Sequence, residues 1–147
     1  MTPSRAAACL LFASLVSVTL AGCGAIEPPP QVTPYASVTF EVTVPSDTPS
    51  DAVITVVGSS LTLGSDMAPG FGLRPQGGGR HVGLVRMQVG EDVSYDIWQQ
   101  GTWIPEVDAT GARVPRRTFR VDGDMKVSLT VEHWGAPSGG PTPKIGP

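Results

Sequence analysis

The chain has 147 residues, 40% of them apolar and 16% charged, with a formal net charge of −3. That is material for one core of ordinary size and not for two. A mild acidic excess without a basic run argues against nucleic acid as a partner and offers no polybasic stripe to lipid headgroups, and only two cysteines leave no disulfide framework.

The first element is a leader. Met1 to Arg5 carry the amino group and one arginine, and an uncharged, largely apolar run, AAACLLFASLVSVTL, follows. As a helix this run would be roughly 22 Å long, short of the ~30 Å hydrocarbon core that a stable span must cross, so it reads as a secretory signal. It ends in Leu20-Ala21-Gly22-Cys23, which resembles a bacterial lipobox. The resemblance implies that residues 1–22 are removed, that Cys23 carries a diacylglyceryl thioether, and that the new amino group is acylated. Two or three acyl chains, at about 0.8 kcal/mol per buried CH₂, would then hold an exported protein at the membrane of a bacterial cell envelope. Gly24 in place of aspartate implies the outer membrane where the envelope is Gram-negative. With Cys9 discarded and Cys23 consumed, no thiol remains for a disulfide, a metal or a nucleophile.

Residues 24–35, GAIEPPPQVTPY, hold four prolines and little to bury, so with Cys23 they form a lipid-bearing, semi-rigid tether. The tail from 135 to 147 is equally poor in core material and is expected to be disordered. The folded part is therefore expected over 36–134. Within it the apolar period is two: VTFEVTV sets Val38, Phe40, Val42 and Val44 against Thr39, Glu41 and Thr43, and MKVSLTV repeats the pattern near the end. Further strands are predicted at 52–57, 81–89, 93–98, 102–107 and 117–121, separated by Gly, Pro and Asp clusters. No stretch carries a 3.6-residue apolar stripe. About seven short strands in a hundred residues predict an all-β, Ig-like antiparallel β-sandwich.

The order of these features resembles the starch-binding domains of carbohydrate-binding module family 20. The residues that carry the likeness are VTFEVTVPSDTPSDAVITVVG, then VGEDVSYDI, then Gly101-Thr102-Trp103, Glu106-Val107-Asp108, Gly111 and Pro115-Arg116-Arg117-Thr118, and finally Trp134. The resemblance spans the whole folded window and implies an Ig-like sandwich with glucan binding. It departs at three places. Leu63-Gly64-Ser65-Asp66-Met67 stands where the family has Leu-Gly-Asn-Trp-Asp, His81 replaces a tryptophan that opens the middle strand, and Arg116 replaces a recognition asparagine. A platform residue is thus replaced by Asp66, which marks a divergent member.

A pyranose ring lays its C–H face on indole and needs a few polar partners for its hydroxyls. Trp103 with Glu106, Asp108 and Arg117 could supply that set. Strict alternation places Trp103, Pro105 and Val107 on one face, so Trp103 reads either as core or as platform. Trp98 has the opposite parity to Val93, Tyr95 and Ile97, which points it outward as an exposed indole or as an edge-packing residue. Trp134 is expected to seal the end of the sandwich. Arg116 and Arg117 fall on opposite faces by the same parity, giving two solvated edges rather than one anion site. The carbohydrate-binding set predicted is Trp98, Trp103, Glu106 and Arg117, with lipid attachment at Cys23. Neither histidine sits in a zinc spacing, there is no nucleophile elbow, and PQGGGR lacks the lysine of a phosphate loop. No enzyme, metal or cofactor is expected. The partners expected are a membrane through the lipid anchor and a polysaccharide, or else an envelope protein if the sandwich has kept only its scaffold.

Overall fold

In a computed structural model the described residues are 32–101 and 103–138. The leader, Cys23, most of the tether and the last residues of the tail lie outside them. The described chain forms ten strands: β1 (Tyr35–Thr43), β2 (Ile54–Gly58), β3 (Phe71–Gly72), β4 (Arg74–Gly77), β5 (Arg80–Gln88), β6 (Asp92–Gln99), β7 (Ile104–Val107), β8 (Arg117–Arg120), β9 (Met125–Thr130) and β10 (His133–Trp134). A single 3₁₀ turn occupies Leu61–Leu63. One sheet has the order β4-β5-β1-β9; the other has β10-β7-β6-β2-β3, with β8 also on β6. The fold is an all-β sandwich, and the strands beyond the predicted seven are short pieces at sheet edges and ends.

Period-two patterning decides which side chains enter the core. Along β1, Ala36, Val38, Phe40 and Val42 are buried and alternate with half-buried Ser37, Thr39, Glu41 and Thr43. β9 repeats the alternation with Met125, Val127 and Leu129 packed against the core. The inward side of β6 supplies Val93, Tyr95 and Ile97. Phe40 of the first sheet meets Tyr95 and Phe119 of the second, and all three pairs are edge-to-face at 5.6 to 6.0 Å. Such pairs add about 0.5–1.5 kcal/mol each beyond burial, so this trio fastens the two layers together. Trp134 is half-buried against the core and donates its indole N–H to Thr48 Oγ1 at 2.9 Å.

One pairing departs from the antiparallel expectation. β1 and β9 run parallel, with Val38 opposite Met125 and Thr43 opposite Thr130. A two-residue hairpin forces antiparallel pairing, but these strands lie at opposite ends of the folded chain and no short turn fixes their direction. On the outer face of this sheet, Glu41 accepts from Arg80 at 2.8 Å and Lys126 at 2.5 Å, linking β5, β1 and β9. Those two hydrogen bonds lower its carboxyl from an ordinary 4.5 to about 2. Stability from this trio is complete above the ordinary value and is lost as the pH falls towards about 2. The stability difference between wild type and Glu41→Gln should therefore shrink across that interval in urea titrations at low salt, and a difference that stays constant down to about pH 2 would contradict it.

The second sheet has the feature that builds the site. β2 runs along one edge of β6, pairing Ile54 to Gly58 with Gln99 to Tyr95. The other edge is shared end to end: β8 pairs with Asp92 to Tyr95 and β7 with Trp98 and Gln99. Asp96 and Ile97 fall in the gap, and the connection from β7 to β8 leaves and rejoins the sheet there.

Candidate functional site

Beside that gap, parity divides two adjacent arginines. Arg117 lies opposite Tyr95 in the register and shares its core side. There it meets Glu106 with both nitrogens, Nη1 to Oε2 at 2.5 Å and Nη2 to Oε1 at 2.6 Å. Glu106 is buried, and Pro105, one residue before it, pairs with Trp98 on the outer side. The hydrogen bond to Glu106 raises the Arg117 guanidinium above its ordinary value, and burial raises the Tyr95 phenol beside the pair. Glu106 and Arg117 therefore satisfy each other within the sandwich. This corrects the expectation that they reach a sugar alongside Trp103.

Arg116 goes to the outer face. Its Nη2 donates to Asp66 Oδ1 at 2.5 Å and to Ser94 O at 3.1 Å, and its Nε lies 3.1 Å from Asp96 Oδ2. Burial pushes the Asp96 carboxyl above its ordinary value, against the pull of Arg116 and Arg113. Asp66 reaches this cluster from the loop after β2, where Gly64, Ser65 and Asp66 all have positive φ. Aspartate tolerates that conformation better than most residues, and its N–H is fixed to Gly58 O at 2.7 Å. Asp66 is thus one end of an ion-paired strap that crosses the outer face to Arg116.

Trp98 is on the outer side of β6, as its parity predicts, and lies outside the core cluster. It is nevertheless 1% exposed, so of the two outward readings the packed indole is found and the exposed one is not. Two groups cover it. The Arg113 guanidinium carbon is 4.5 Å from the centre of its ring, and Trp103 packs edge-to-face at 6.2 Å and 76°. Its Nε1–H is buried with no acceptor among the described residues. Arg113 is placed by the turn in which the Asp108 carboxylate accepts from Thr110 N, Thr110 Oγ1 and Ala112 N. A backbone bridge joins Val107 to Arg113.

Trp103 is neither the strand residue nor the core residue that alternation allowed. β7 begins only at Ile104, and Trp103 sits in the preceding turn with φ of 54°. It is half-buried, and its carbonyl accepts from Ser138 N at 3.1 Å and Oγ at 3.0 Å. Trp103 borders an open depression of about 640 Å³ in which Asp51, Val53, Gln99 and Gln100 also take part. An aromatic ring flanked by two amides and a carboxylate can hold a hexose. Of the four predicted residues, the structure brings Trp98 and Trp103 together and sends Glu106 and Arg117 elsewhere. Sequence reading missed Asp96 and Arg113 as site residues, and took Asp66 only as the replacement of a platform residue. Asp96 was accessible, since it shares outward parity with Trp98; the other two arrive through loops. Among the described residues no three His, Cys, Asp or Glu side chains gather as a metal-ligand set.

No protein-family model matches the chain. Over 100 residues, 67% of the chain, it is 31% identical to an α-amylase of Niallia circulans, of which it spans 8%. Among solved structures it is similar to a glycoside hydrolase family 15 glucoamylase from Hypocrea jecorina, with a TM-score of 0.56 and 22% identity over 75% of this chain and 19% of that one. It is also similar to the Hormoconis resinae glucoamylase, with a TM-score of 0.51 and 21% identity over 69% of this chain and 18% of that one. The two structures share the fold of this chain, which spans a small part of each protein it matches.

Proposed function

We propose that this protein is a non-enzymatic lipoprotein of the bacterial envelope whose sandwich, displayed on a proline-rich tether, binds a glycan at Trp103. The observation that carries the reading is the half-buried Trp103, braced against Trp98 at the edge of a depression shared with Gln99, Gln100 and Asp51. An aromatic ring already fixed in place loses little freedom when a sugar stacks on it. The similarity to an α-amylase and to two glucoamylases supports an α-glucan as the sugar.

The test is retention of the full chain on insoluble starch and on a panel of other polysaccharides. Trp103→Ala is expected to lower retention at least about tenfold, equivalent to about 1.4 kcal/mol, in a domain that still melts cooperatively. Undiminished retention would remove Trp103 from the site. One observation favours a second reading, a scaffold that contacts an envelope protein: the Asp66–Arg116 strap stands where the family places a sugar platform. Absence of retention on every polysaccharide would select it.

Lipid anchoring is tested separately. Cys23→Ser is expected to abolish labelling by a radioactive fatty acid and to leave the leader uncleaved or the protein released from membranes. A cleaved variant that still partitions into the detergent phase would refute the anchor.

A further inference from the structure

Part of the cover over Trp98 is a cation: one face of this indole lies under a guanidinium from an exposed turn. Among the described residues no carboxylate lies within ion-pair distance of Arg113, although Asp96 exerts a longer-range attraction. The contact of Arg113 with the indole is thus a planar cation resting on a ring, a contact that another flat group can replace. Buried indole N–H groups normally find an acceptor, and this one has none among the described residues. Asp96 and Trp98 point outward two residues apart on β6, so their Cα atoms stand about 7 Å apart and an indole and a carboxylate rise side by side from the same face.

We propose that Trp98 is a second sugar platform, kept covered by Arg113, and that a neutral hexose ring of the glycan takes the guanidinium's place on the indole. The inference rests on the glycan reading above and extends its site from one indole to two. The charge balance selects the ligand class. Arg113 and Arg116 balance Asp66 and Asp96, so the patch has no net positive charge to draw an acidic sugar. A neutral ring brings a C–H face for the indole and a hydroxyl oxygen at its edge to accept a hydrogen bond from Nε1–H. Arg113 therefore lowers apparent affinity, since only the uncovered fraction of the molecules can bind.

The full chain in detergent, labelled with 5-fluorotryptophan, should give one fluorine resonance for each of its three tryptophans, assigned by single Trp→Phe variants. A soluble gadolinium chelate then reports exposure, and maltoheptaose serves as the glycan probe. In the wild type the Trp98 resonance should be shielded from the chelate, and in Arg113→Ala it should be broadened. Maltoheptaose should shift the Trp98 resonance in both proteins and bind Arg113→Ala about five times more tightly, equivalent to about 1 kcal/mol. Arg113→Lys, which keeps a cation but not a plane, should lie between them. The inference is overturned if Trp98 stays shielded in Arg113→Ala. It is also overturned if maltoheptaose shifts only the Trp103 resonance with equal affinity in both proteins, a result that leaves the glycan reading intact. If maltoheptaose shifts nothing in either protein, the glycan reading itself fails, and the platform proposed for it fails too.

Discussion

Glu106→Ala is expected to destabilise the sandwich by about 3 kcal/mol and to lower its thermal midpoint by roughly 12 °C or more. The reason is what remains after the substitution. Arg117 lies on the core side of the second sheet beside Tyr95, and Glu106, with 6% of its side chain exposed, is the carboxylate that it grips with two hydrogen bonds. Removing the carboxylate leaves a partly buried guanidinium without a counter-charge, which costs far more than losing a pair at the surface. Replacing both residues should restore most of the loss. In Glu106→Met/Arg117→Met the apolar chains fill the gap between β7 and β8 without a charge to desolvate, and the net change should fall to about 1 kcal/mol or less. Circular dichroism melts and urea titrations of the two variants decide the matter. A single substitution costing less than about 1 kcal/mol would mean that the pair behaves as a solvated surface contact. Because the pair is shielded, molar salt should change the result little, in contrast to the exposed trio around Glu41.

The sandwich was legible because alternation is a local property. VTFEVTV and MKVSLTV declare their inward faces within seven residues, and the strands they form bury those faces. The same rule sent Arg116 and Arg117 to opposite sides, which the structure repeats. Parity also placed Trp98 on the outer side of β6. What parity cannot convey is whether an outer face is bare. Here it is covered by the turn that carries Arg113 and by the loop that carries Asp66, the latter meeting Arg116 across fifty positions of sequence. The strand predicted from 102 failed for a different reason: Gly101 and Trp103 both take positive φ, so the hairpin turn extends to Trp103 and alternation begins only after it. Trp103 consequently escapes both faces that a strand would have offered. Its position at the rim of the depression follows from turn geometry, which a pattern of apolar residues does not encode.

Trp98→Ala is expected to be the most destabilising of the single substitutions considered, at about 3–5 kcal/mol, the usual cost of deleting a fully buried tryptophan. The indole fills the space between Arg113 and Trp103 on the outside of β6, so its loss leaves a void that neither neighbour can close without leaving its own turn. Binding measured on that variant would therefore confuse loss of a platform with loss of the sheet. Trp98→Phe separates the two effects. It keeps an aromatic face under Arg113, removes the unpartnered N–H, and should cost about 1–2 kcal/mol, enough to read and too little to unfold the domain. Retention that survives in Trp98→Phe but falls in Trp103→Ala would assign the ring at the rim as the primary contact. Retention lost in both, with each variant still showing a cooperative melt, would show that a sugar engages the two indoles together. A Trp98→Ala variant that melts within about 1 kcal/mol of the wild type would contradict its burial, because a solvated surface indole leaves no cavity behind.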